Sequence, residues 1–145
     1  AKRMSELIKA ITTQFDHLED LIQALDSELH LISSRDAEAL INLLKNKENL
    51  LTTVQQQDDV ISAAFEASSE TDRTSEEVVA LFDRAKQLVS ECQYRTKINQ
   101  TAVEQGQLRL EHLRTLLLES RAKESMTYDK SGKAQGGRSG RGISA

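Results

Sequence analysis

The chain has 145 residues, no proline, a single cysteine, only 3% aromatic residues and a formal net charge of −4. One cysteine excludes an internal disulfide framework and fits a reducing compartment. So few aromatics, with glycine almost confined to one end, tell against a sheet protein, whereas the abundant Leu, Ala, Glu, Gln and Lys are good helix formers. The expected class is all-α.

Met4, Ile8, Ile11, Phe15, Leu18, Ile22, Leu25, Leu29 and Ile32 recur at alternating spacings of four and three. That is a sustained heptad stripe, and it predicts a first long helix. Leu7, Leu21 and Leu31 widen the stripe, so this helix is expected to touch two neighbours. "SSRD" at 33–36 interrupts the rhythm, and Ser34 or Asp36 can cap the next helix by accepting from its unpaired N–H groups.

The second stripe reads Ala37, Leu40, Leu44, Lys47, Leu51, Val54, Asp58, Ile61 and Phe65. Lys47 and Asp58 carry charge in the seam, and the expectation is that both lie at its edge with their heads in water. "ASSETDRTSEE" at 67–77 is the second break, where Thr74 and Glu77 have capping-box spacing.

A third helix is expected from about Ser75 to about Ser120. Its stripe reads Val78, Phe82, Ala85, Val89, Cys92, Thr96, Asn99, Val103, Gly106, Leu110, Leu113 and Leu117. Thr96 and Asn99 are polar where the stripe is otherwise apolar: a seam Asn can fix register at some cost in stability, but the simpler reading is that the contact there crosses from one neighbour to another. About 46 residues of helix span about 69 Å, against about 45–50 Å for each of the first two. Three unequal rods cannot cover one another end to end, so the Leu-rich "LRLEHLRTLLLES" must dock on its own bundle, dimerise or bind another protein. The predicted architecture is an antiparallel bundle of three long helices in residues 1–120, with Gly106 as a point where the third can split.

Residues 121–145 are expected to form a flexible, basic, glycine-rich tail. They hold six basic residues against two acidic ones, so the remainder of the chain carries −8. An acidic body does not suit a duplex DNA binder, whose affinity rests on neutralised phosphates. A single direct Arg-Gly step, Arg141–Gly142, and one aromatic in the tail argue against single-strand binding as well. No apolar run approaches the roughly 18 residues needed to span a bilayer. "AKRMSELIKA" is followed by no apolar stretch or cleavage pattern, so a cytosolic protein is expected.

No catalytic constellation is visible. His17, His30 and His112 are scattered, and neither H-E-x-x-H nor C-x-x-C occurs. Cys92 lies on the apolar stripe, where a buried structural thiol is expected rather than a nucleophile. "GGRSGRG" lacks the strand and helix that would make its glycines cradle phosphate. The residues point to a non-enzyme without cofactor or metal.

The order of features resembles the FlgN family of flagellar export chaperones. The resemblance rests on "KNKENLL" at 45–51, "NQTAVEQGQLRLEHLRTLL" and the closing "TYDKSGK…GRSGRGISA". Its narrowest elements are Lys47, Glu48, Leu50 and Leu51, then Asn99, then Tyr128, Asp129 and Gly132. It implies a cytosolic escort that binds the C-terminal helices of the hook-associated proteins FlgK and FlgL. Such an escort prevents premature assembly and delivers its cargo to the export gate protein FlhA. By position, cargo capture would fall on Val103, Leu110, Leu113 and Leu117, and gate docking on Tyr128. Two other readings share the same residues: a coiled-coil protein that self-associates through the Leu-rich end, and a chaperone for a different flagellar cargo.

Overall fold

A computed structural model describes the backbone of residues 2–130 and the side chains of residues 2–124. The protein is all-α, with four helices among the described residues: α1 (Lys2–Ser34), α2 (Ala37–Ala67), α3 (Glu70–Arg73) and α4 (Glu76–Lys130). It divides into two compact units, Ala1–Ala102 and Val103–Ala145.

The breaks between helices follow local chemistry. Arg35 turns into the left-handed region at φ 60 and its N–H donates to the Leu31 carbonyl at 3.1 Å, which closes α1 with an αL cap. Asp36 then caps α2, its carboxylate accepting from the Ala39 N–H at 3.0 Å. The second break holds the short α3, which periodicity cannot reveal at four residues, capped by Ser69 through the Asp72 N–H. The expected Thr74 capping box does not form. Thr74 donates its hydroxyl to the Glu70 carbonyl, and Ser75 Oγ accepts from the Val78 N–H at 3.3 Å.

In the first unit α1 is flanked by α2 and α4. Gln57 donates to the Ala10 carbonyl and Lys47 pairs with Glu28, so α2 runs antiparallel to α1. Val78 packs with Leu7 and Ile11, while Asn99 donates to the Leu25 carbonyl, so α4 runs in the same direction as α1. Two apolar clusters result. One joins Leu7, Ile11 and Val78, with Phe15, Ile61, Phe65 and Phe82 packed on them. The other joins Leu18, Leu21, Leu25, Leu88 and Cys92, with Leu50 and Val54 against it.

The two-neighbour role of α1 moves the centre of its buried face. Leu7, Ile11, Gln14, Leu18, Leu21, Leu25 and Glu28 are buried, whereas Ile8, Phe15, Ile22 and Leu29 are half-buried flanks. The same one-residue offset occurs on the neighbours. Leu43, Leu50 and Gln57 take the inner positions expected for Leu44, Leu51 and Asp58, and Leu88 and Arg95 take those expected for Val89 and Thr96. In a seven-residue repeat, positions three and four after a buried residue are both near the seam, and neighbour geometry selects between them.

Gln14, Glu28 and Asn99 are polar side chains buried between the helices. Glu28 is 7% exposed, accepts from Lys47 Nζ at 2.8 and 3.1 Å, and accepts from Asn99 Nδ2 at 2.8 Å. One carboxylate on α1 thus ties α2 to α4. Asn99 is no crossover point between neighbours, because its amide faces α1 and is bonded there. Lys47 and Asp58 are not simply solvated either: Lys47 holds Glu28, and Asp58 Oδ1 accepts from the buried Gln14 Nε2 at 2.7 Å. On the outer side, Arg95 Nε reaches Asp26 at 2.9 Å.

Helix α4 continues through Gly106 without a split. It also runs past the expected end near Ser120 to Lys130, because no glycine or proline occurs between Gly106 and Gly132 and the intervening residues are largely good helix formers. The remainder of the expected tail, residues 131–145, lies outside the described residues.

Removing one member of the buried pair leaves the other short of partners, a cost of about 1–3 kcal/mol. Glu28→Leu and Asn99→Leu are each expected to lower the unfolding free energy, obtained from urea titrations, by about 1–3 kcal/mol. The double variant should lose at least about 1 kcal/mol less than the sum of the singles, since an apolar pair needs no hydrogen bonds. Strict additivity in urea denaturation would show that the two side chains do not support each other.

Candidate functional site

Among the described residues no three His, Cys, Asp or Glu side chains are grouped as metal ligands. Cys92 is buried, its thiol facing the Leu18 carbonyl at 3.9 Å. Burial pushes the Cys92 thiol above its ordinary pKa, against the opposing pull of Arg95. It therefore stays a neutral packing group at neutral pH.

What the molecule displays instead is apolar surface. In the second unit, Leu108, Leu110, Leu113, Leu116 and Leu117 are between 47% and 64% exposed, and Val103 is exposed as well. Helix geometry sorts these side chains. At about 100° per residue, Val103, Gly106, Leu110, Leu113 and Leu117 fall within a stripe about 80° wide. Leu116 lies beside that stripe, Leu118 is half-buried, and Leu108 projects from the opposite side. The four residues expected to capture cargo therefore share one open helical face. Tyr128 falls in the last turn of α4, and its side chain lies outside the described residues.

Gly106 sits within this stripe with an open flank. A Cβ built there meets nothing within 4 Å, so close packing inside the described chain does not explain the glycine. Glycine in a helix interior costs about 1 kcal/mol relative to alanine. Gly106→Ala is expected to raise the helicity and stability of α4, by up to about 1 kcal/mol, in thermal melts followed by circular dichroism. A fall in stability would reveal a steric demand on that side.

Residue spacing did not foretell a second apolar feature, which lies in the first unit. Ile61, Phe65, Val79 and Phe82 line an open groove of about 550 Å³ between α2 and α4. Phe65 and Phe82 meet edge to face with centroids 5.8 Å apart, and Arg73 lies over the Phe65 ring at 4.9 Å. Arg73 also donates to the Phe65 and Glu66 carbonyls, so it closes the C-terminus of α2 as well as lining the groove. The signal for it was the pairing of two of the chain's three phenylalanines across a loop, which period counting ignores.

Among the described residues no helix is long and apolar enough to cross a membrane. No curated protein and no solved structure matches the chain. The family model described as FlgN protein matches residues 4–136, which takes in the α1–α2 pair, the exposed leucines of α4 and the Tyr128 element. With nearly the whole length matched, the chain belongs to the FlgN family, a family of flagellar export chaperones.

Proposed function

We propose that this chain is a cytosolic escort for hook-associated proteins. The stripe of Val103, Leu110, Leu113 and Leu117 holds the C-terminal helical segments of FlgK and FlgL, which keeps those subunits from assembling early. Tyr128 docks the loaded chaperone on the export gate protein FlhA. The observation that carries this reading is the row of leucines on α4 left open to solvent. Each is about half exposed, so burying the remainder would gain roughly 0.8–1.5 kcal/mol, and the face favours an apolar partner. A guest helix with anchors at i, i+3, i+4 and i+7 matches the spacing of the stripe. Holding the guest lowers the concentration of its assembly-competent form by mass action alone, a process that calls for no nucleotide.

The test is titration of the full chain with peptides from the C-termini of hook-associated proteins. A one-to-one complex at micromolar concentration is expected. Leu113→Asp combined with Leu117→Asp should weaken it by about a hundredfold or more, with helicity retained. No complex, or an unaffected double variant, would refute the assignment. A stable dimer in light scattering that peptide does not dissociate would favour self-association through this face. Tyr128→Ala should leave peptide affinity unchanged and weaken capture by the cytoplasmic domain of FlhA. Equal loss of both activities would contradict the division of labour between stripe and tyrosine.

A further inference from the structure

The proposed guest-binding stripe has a charged border, and the border has one sign. At about 100° per residue, Arg114 and Arg121 lie within about 60° of the stripe's centre line and Arg109 within about 80°. Glu104, Glu111 and Glu119 lie about 120° or further away, on the opposite side of the helix. Glu124 alone returns to the line of the stripe, one turn past its last leucine-bearing turn. Arg109, Arg114 and Arg121 are all exposed, and no salt bridge engages them among the described residues. This segment holds enough glutamates to compensate its arginines, yet places them on the far face.

We propose that the guest seated on Val103, Leu110, Leu113 and Leu117 is an amphipathic helix whose own apolar stripe is bordered by carboxylates. The inference rests on the docking reading above and adds the chemistry that selects among apolar helices. Guanidinium groups beside an apolar seam are suited to bidentate pairing with carboxylates at its rim. A second copy of the same face is a poor occupant, because it would bring arginine against arginine along the seam. The body of the chain is acidic, but that field is screened beyond about 10 Å at 0.1 M salt, so the local border governs the seated guest.

Two synthetic helical peptides with one shared leucine stripe, bordered by glutamate in one and lysine in the other, test the idea. Fluorescence anisotropy with the full chain at about 50 mM salt should show the glutamate peptide binding about tenfold tighter, with the gap narrowing at about 500 mM. Replacing Arg109, Arg114 and Arg121 together by Glu should reverse the preference, with circular dichroism confirming retained helicity. Equal affinities, or a preference that the replacement does not move, would overturn the charge assignment while leaving apolar docking intact. Failure of both peptides to bind would overturn the docking reading and this inference with it. A dimer that forms through the stripe without peptide would count against both.

Discussion

A carboxylate at the junction of three helices is the constraint around which the first unit is arranged. Glu28 is nearly excluded from water, and a charge so placed is tolerable only when paired and hydrogen-bonded. Lys47 supplies the counter-charge from α2 and Asn99 an amide from α4. Each bond fixes a register: a helix sliding by one residue would carry its partner away from Glu28, whereas leucines alone would tolerate the slip. Gln14 repeats the device lower down, donating to both Asp58 and the Val54 carbonyl. Apolar burial thus supplies the driving force, and polar contacts select one alignment among several that heptads permit.

The two parts of α4 differ in character. Before Ala102 the helix places its apolar and amide side chains against α1, with Val78, Leu88, Cys92 and Asn99 buried. After Val103 it carries leucines of equal hydrophobicity that are left exposed. The contrast does not come from composition. It comes from partner supply, since α4 has 55 residues against 33 in α1 and 31 in α2. On the docking reading proposed above, this length of helix is what would leave the face available to a guest.

Much of this could be read from residue order. The three long helices, the cap at Asp36 and the exposed leucines follow from period, cap chemistry and length. The inner positions could not be resolved, because residues three and four places after a buried one are both apolar in much of α1, and only the neighbours decide which points inward. Polar core members were harder still. Glu28, Gln14 and Lys47 look like surface residues until their partners, 19 to 71 positions away in sequence, are seen beside them. Asn99 stood out as an anomaly in its stripe, but its acceptor did not. The short α3 and the groove beneath Arg73 left no periodic trace. The far end of α4 is hard to place from sequence because the shift to basic composition after Ser120 carries no helix breaker with it, and the helix continues to Lys130.

The connection between α1 and α2 consists of Arg35 and Asp36 alone. Closing so short a link costs little chain entropy, which makes this hairpin the cheapest tertiary pairing available to a nascent polypeptide. Lys47 can meet Glu28 while α4 is still unmade, so the acid waits with one partner rather than none. The Glu28–Lys47 pair therefore closes within the hairpin itself, across 19 positions, whereas the Asn99 contact spans 71.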